Sequence, residues 1–220
     1  MSGKVVAIVP IKLNNERLPG KNIKLLGGKP LIAYCLDTLL QIKEIDEVYV
    51  YCSNSEIERY LPLGVRFLKR PEKLDLPTSN FTQIFEMFML DVDASIYVYA
   101  HATAPFVSAD SIHGEIEAVS SGVYDSAFCA ERIQDFLWRD GVPLNFDASN
   151  IPRSQELPVI WRETAGVYVF RKEVFAKLRR RVGTKPYIME VDRKEAVDIN
   201  TSDDFRYAEL FQNWGESRNE

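Results

Sequence analysis

Histidine and cysteine are the scarce reactive residues here: two of the first and three of the second in a chain of 220. With only His101 and His113, and with Cys35, Cys52 and Cys129 far apart and in no CxxC pair, a His/Cys zinc site is not expected. Separated thiols in apolar surroundings instead suit buried residues in a reducing cytoplasm, the expected location. No run of about 18 apolar residues occurs, so no membrane-spanning helix is expected. The opening MSGKVVAIVPIK has only a short apolar stretch and lacks a signal peptide's cleavage pattern. The spacings GxxxxGK[ST] and GxGxxG are both missing, which excludes a P-loop and a dinucleotide fingerprint. A positive surplus is missing too: the net charge of -5 disfavours a general nucleic-acid binder.

What the chain does have is material for a core, with 46% hydrophobic and 27% charged residues. That balance argues against disorder and for one domain over 1–220. Its charge is unevenly spread. Residues 11–30 hold Lys12, Arg17, Lys21, Lys24 and Lys29 against a single acid, Glu16. Such an island is either a local polyanion site or a solvated basic loop, and composition does not separate the two.

Short β-rich runs alternate with amphipathic stretches. Strands are expected at 4–11, 47–53, 65–70, 95–105, 124–133, 165–170, 186–192 and 196–199. Helices are expected at 30–42, 53–61, 81–92, 109–122, 171–181 and 201–214. The first strand, KVVAIVPI, is nearly all apolar, as a parallel strand buried on both faces must be. Alternation of this kind predicts an α/β fold: an open, mostly parallel twisted sheet with helices on both faces. The stretch FLWRDGVPLNF (136–146) breaks the rhythm. Its Asp140-Gly141 pair signals a β-hairpin, and 132–158 reads as a small subdomain or interface arm.

In an open α/β sheet, ligands bind beyond the carboxyl ends of the strands, so the loops there are where chemistry belongs. The segment IVPIKLNNERLPGKNIKLLGGKPLIAY resembles the N-terminal signature of the CMP-sugar-acid synthetases, the acylneuraminate cytidylyltransferases. LPGKN and GGKPLI stand colinear with that family, and Lys21 matches its catalytic lysine. Lys12 fills the position of the family's arginine. Asn14, Asn15, Glu16 and Arg17 replace its glycine-rich turn.

The likeness continues in AHATAPF, where Thr103 and Pro105 match and His101, Ala104 and Val107 depart. In NIPRSQELPVIWRETAGVYVF, Arg153 falls on the arginine that binds the sugar carboxylate. Arg162 falls there on a second basic position, Tyr168 on the tyrosine, and Thr164 where asparagine is usual. In AVDINTSDDF, Asp198 matches the first magnesium-binding aspartate and Asn200 replaces the second. Thr201 and Ser202 there read as helix caps, with Asp203 and Asp204 suited to a first turn.

The resemblance implies a Rossmann-like nucleotidyltransferase that moves CMP from CTP to a hydroxyl of an acidic, nonulosonate-type sugar. Pyrophosphate would leave, and the product would feed cell-surface glycan synthesis. It implies Lys12, Lys21 and Asp198 as catalytic residues, with Mg2+ held by Asp198 and Asn200. The nucleotide would meet Lys12, Asn14, Arg17, Lys21 and Asn22 on the first loop, and Arg70, Thr78, Ser79 and Asn80 on the third. The acceptor would meet His101, Thr103, Arg153, Arg162, Thr164 and Tyr168. A homodimer joined through the 132–158 arm is implied as well. Two alternatives stay open: a cytidylyltransferase for another acid, such as a 3-deoxy-octulosonate or a phosphonate, and a weakly active nucleotide-binding scaffold.

Overall fold

The computed structural model describes residues 3–216, with side chains through residue 212. Seven strands form one sheet: β1 (Val5–Ile11), β2 (Glu47–Cys52), β3 (Val65–Lys69), β4 (Ile96–Ala100), β5 (Ser126–Ile133), β6 (Ile160–Arg171) and β7 (Pro186–Val191). Their order is β7-β5-β6-β4-β1-β2-β3. All neighbours run parallel except β6, which is antiparallel to both β4 and β5. Five helices flank them: α1 (Leu31–Leu40), α2 (Phe81–Asp91), α3 (Ala109–Ser120), α4 (Lys172–Leu178) and α5 (Ser202–Glu216).

The continuous apolar runs have a simple cause. In β1, Val5, Ala7, Val9 and Ile11 pack with α1 and α3, while Val6 and Ile8 pack with α2 and α4. Alternate side chains serve opposite layers, so neither parity has a polar face. The second layer is aromatic: the Phe85 ring lies 4.7 Å from Phe175, 4.9 Å from Tyr97 and 5.0 Å from Phe170, all near edge-on. Edge-to-face pairs of this kind add directional preference to burial.

Four local expectations are corrected. Residues 196–199 form no strand: Asp192 accepts from the Lys194 and Glu195 amides at 2.9 Å, turning the chain there. Ile199 is then buried as coil, its amide donating to the Thr103 carbonyl at 2.8 Å. The segment expected to be helical at 53–61 is a 3₁₀ turn, Ser55–Tyr60, capped by Asn54. The basic helix stops at Leu178 because Arg179 takes a left-handed conformation (φ 56°), leaving Arg180 and Arg181 in the following loop. Strand β6 begins five residues early, since Ile160–Glu163 continue pairing with β5 across a bulge between Glu163 and Tyr168. The hairpin does form, as Trp138–Arg139 against Val142–Pro143, with positive φ at both Asp140 and Gly141 as a type I′ turn requires.

Candidate active site

Strands β1, β2, β3 and β4 are parallel, so their carboxyl ends open on one edge. The basic loop after β1 is held there by its own side chains. Gly20 adopts φ 65°, which starts a short turn at Lys21–Ile23. The buried Asn22 amide donates to the Lys12 carbonyl at 3.0 Å, cinching the loop's two ends. From that turn the Lys21 ammonium reaches the Ile199 carbonyl at 2.8 Å and Asn200 Oδ1 at 3.4 Å. Asn200 Nδ2 in turn donates to Asp198 Oδ2 at 2.6 Å. The other Asp198 oxygen, Oδ1, is buried with no hydrogen-bond partner among the described residues. A buried carboxylate oxygen left open is costly unless something positive fills the place.

Lys21 feels this environment. Burial pushes its ammonium below the ordinary lysine range, Asp198 and Asp204 pull it back up, and Arg17 pushes it down. A cation held partly out of water beside unspent acceptors is arranged to gain from an arriving anion. Lys12, Arg17 and Lys21 line a cleft of about 240 Å³ together with Asn15 and Asn200. Asp204 is not part of that chemistry. It accepts from the Asn200 and Thr201 amides at 2.9 and 2.7 Å and caps α5.

A second cleft, of about 820 Å³, lies beside the first and is lined by Leu13, Asn14, Ser53, Lys69, Asp75 and Pro77. Arg70 stands under it, fully buried, donating to Asp75 Oδ1, while Ser53 donates to Asp75 Oδ2. The Lys12 ammonium donates to the Asp75 backbone carbonyl at 3.3 Å, which ties this loop to the first. Arg70 Nε keeps no partner among the described residues. Asp75 and Ser53 went unnoticed in the sequence, where nothing but a loop of prolines surrounds the former. Of the remaining residues on this loop, Thr78 is exposed. Ser79 donates to the Lys73 carbonyl at 3.3 Å, and Asn80 caps α2 reciprocally with Gln83.

The end of β4 carries the third group. The His101 ring packs edge-on to Tyr99 and Tyr168, at 5.2 and 6.2 Å, and its Nε2 is buried without a partner. Burial, with the positive charges of Arg181 and Lys21, pushes its pKa down to about 4 against the opposing pull of Asp198. It is therefore a neutral imidazole at pH 7. Thr103 serves through its backbone, accepting from Ile199. Thr164 is buried, and its hydroxyl donates to the Cys129 carbonyl at 3.0 Å, spanning the bulge in β6. Tyr168 donates to Glu163 at 2.5 Å.

The two arginines of the third segment are placed differently. Arg162 lines a cleft of about 410 Å³ with Asp198 and Asn200, but its fork is spent on Glu131 at 2.9 and 2.5 Å. Arg153 is exposed on the arm, where its backbone amide donates to the Glu156 carboxylate at 3.3 Å and its carbonyl accepts from the Glu156 amide at 2.9 Å. The sequence reading missed Arg181, which lies over the Tyr168 ring at 3.6 Å. A run of three arginines was its only signal.

Among the described residues no three His, Cys, Asp or Glu side chains group as a metal site. Magnesium needs no such group, taking one or two carboxylates and completing its shell with water and phosphate. The open, hard oxygen of Asp198 fits that demand.

The sheet order and the edge it builds define a Rossmann-like nucleotidyltransferase fold. A solved structure of CMP:2-keto-3-deoxy-manno-octonic acid synthetase complexed with CTP shares it, with a TM-score of 0.72 at 15% identity over 96% of this chain and 99% of that one. The 4-diphosphocytidyl-2C-methyl-D-erythritol synthase of Anaerococcus prevotii gives 0.67 at 14% identity, covering 96% of each. The chain itself belongs to the cytidylyltransferase family, whose profile matches residues 6–203. It is 26% identical over 215 residues to the N-acylneuraminate cytidylyltransferase of Oncorhynchus mykiss, covering 93% of this chain and 49% of that protein. Over 122 residues it is 30% identical to the CMP-N,N'-diacetyllegionaminic acid synthase of Legionella pneumophila, covering 52% of each. The chain thus spans about half the length of the curated relatives it matches.

Proposed function

We propose that this chain is the catalytic domain of an enzyme that transfers CMP from CTP to a hydroxyl of an acidic sugar. The observation that carries the reading is the Lys21–Asn200–Asp198 chain, which joins a cationic loop to an open carboxylate at the carboxyl edge of the sheet. The hydroxyl oxygen attacks the α-phosphorus, the bond to the bridging oxygen breaks, and pyrophosphate leaves. Little covalent work falls to the protein, so positioning and neutralisation of charge dominate.

Lys12 and Lys21 face the cleft where negative charge collects on the phosphates. The larger cleft beside them suits the nucleoside, with Arg70 fixed beneath it by Asp75. His101, neutral and unpartnered at Nε2, accepts a hydrogen bond from the acceptor. Magnesium bound at Asp198 would supply further neutralisation of the phosphate oxygens.

Supporting a homodimer, the arm exposes Phe136, Trp138, Val142, Leu144 and Ile151, which is more apolar surface than a solvated loop needs. No helix among the described residues is long and apolar enough to cross a membrane. All three cysteines are free and buried, which suits the reducing cytoplasm as the site of action.

The test is pyrophosphate release from CTP with magnesium, offering N-acetylneuraminate, N,N'-diacetyllegionaminate and 3-deoxy-manno-octulosonate in parallel. A CMP-sugar product identified by mass spectrometry is the expected result. Faster turnover of UTP or ATP than of CTP would refute the cytidylyl assignment.

A further inference from the structure

We propose that Arg181 recognises the carboxylate of the acceptor and so sets the enzyme's demand for an acid. The inference rests on the sugar-acid reading above and adds a residue outside every motif that led to it.

The Arg181 guanidinium lies face-on over the Tyr168 ring with Cζ 3.6 Å from its centroid, and Nη2 donates to the Tyr168 hydroxyl at 2.8 Å. The Phe81 ring is also near, its centroid 5.6 Å from Cζ. Tyr168 is the same ring that packs against His101. The positive charge of Arg181 is felt at His101, as are the charges of Asp198 and Lys21. Tyr168 thus joins Arg181 to the imidazole at the end of β4, the edge on which an anionic acceptor would meet the nucleotide loop.

Arg162 gives two donors to one Glu131 oxygen. Among the described residues Arg181 pairs with one carboxylate, Glu163 at 3.5 Å, and that group already accepts from Tyr168 at 2.5 Å. Nε and Nη1 of Arg181 have no partner among the described residues. Nη2 gives one hydrogen to Tyr168 and keeps a second, so one edge of the guanidinium, Nη2 with Nε or with Nη1, still presents two parallel donors to a carboxylate.

The loop that carries Arg181 is pinned on both sides. Thr82 donates to the Arg179 carbonyl at 3.0 Å, and Arg179 pairs with Glu86 at 2.5 Å on α2. On the far side, the Gly183 amide donates to Ser126 at 2.8 Å, and the Thr184 and Lys185 amides donate to Asp125 at 2.7 and 3.1 Å. Gly183 is required for this clasp, because a Cβ there would sit 2.2 Å from the Asp125 carboxylate. A side chain so presented loses little freedom on binding, which is the usual cost of recruiting an arginine.

The experiment compares N-acetylneuraminate with its methyl ester, which keeps the sugar and removes the charge. Wild type is expected to favour the acid at least tenfold in kcat/KM, and in calorimetric binding to the protein saturated with CDP. Arg181→Gln should bring acid and ester to within about twofold of each other, with KM for CTP unchanged; Arg181→Lys should fall between. A merely structural role predicts something else: Arg181→Gln would weaken acid and ester by the same factor. That result overturns the assignment, as does discrimination that survives in Arg181→Gln and disappears in Arg153→Gln. Failure of wild type to bind or turn over any sugar acid of the panel overturns it together with the acceptor reading. In that case thermal stabilisation by CTP still reports on the nucleotide half separately.

Discussion

The ammonium of Lys21 donates to the carbonyl of Ile199 at 2.8 Å across 178 positions of sequence. One bond thus joins the loop that follows the first strand to the segment that precedes the last helix. A ligand that engages Lys21 acts on both at once. The same geometry makes the lysine hard to replace, because a shorter side chain loses the bridge to Ile199 together with the phosphate contact proposed for it.

Lys21→Ala is therefore expected to lower kcat for pyrophosphate release about 100-fold or more, the range for removing one charge-stabilising donor in a transition state. Circular dichroism should change little, while the CTP-free melting temperature should drop by about 2–4 °C as the bridge to Ile199 is lost. A rate within threefold of wild type would take Lys21 out of the mechanism.

Asn200 stands between a cation and a carboxylate, giving its amide hydrogen to Asp198 and its oxygen to Lys21. Asn200→Asp sets a second negative charge beside Asp198. The magnesium concentration for half-maximal rate should fall, on the order of tenfold for an added carboxylate. Titration of the rate against magnesium decides the matter, and an unmoved midpoint would place Asn200 outside the metal site.

His101 makes stability depend on pH in a known direction. Its folded pKa, about 4, lies below the ordinary value of 6.5, so between those values the unfolded chain binds the extra proton. Stability should be full above about pH 6.5 and decline as pH falls toward 4, by at most about 3 kcal/mol. Urea unfolding of wild type and His101→Gln at pH 4.5 and 7.5 tests this. The variant should lose less stability on acidification, and identical losses would refute the assignment.

Glu115 works in the opposite sense. It is fully buried on α3, accepts from the Cys129 thiol at 3.0 Å, and leaves Oε2 unpartnered. Burial, with Glu195 adding to it, raises its pKa to about 8 despite the Cys129 bond. The folded state holds a proton that the unfolded chain releases above about 4.5, so this group's contribution to stability is lost as pH rises from 4.5 to 8. Glu115→Gln keeps the shape without the titration. Its stability relative to wild type should grow across that window, by about 2–4 kcal/mol at pH 8. A pH-independent difference in melting temperature would contradict it.

The strands that are buried on both faces were readable because their sequence admits no polar parity, as in Val5–Ile11. The basic loop was readable as a charge island, and Asp198 through the likeness of AVDINTSDDF to the family's aspartate motif. Other features depend on distant partners. Ala196 and Ile199 are buried, yet they form no strand because Asp192 diverts the chain first. Arg162 looks like a ligand residue until Glu131, 31 positions away, occupies its fork. Arg181 reads as a surface cation at a helix end, and only the fold brings Tyr168 under it. Local pattern reports which face a residue takes, not which charge meets it there.

Strand β6 runs against its neighbours, and its early residues, Ile160–Glu163, extend past the end of β4 alongside the last residues of β5. The excursion between β5 and β6 therefore leaves and re-enters the sheet on the ligand edge. Any body gripped by the arm is held at the lip of the cleft instead of at the back of the molecule. The arm meets the sheet through Ile160–Glu163 and the bulge before Tyr168, while β1, which carries the basic loop, lies two positions away in the sheet. Dissociating whatever the arm holds would then register first in how tightly the sugar is kept.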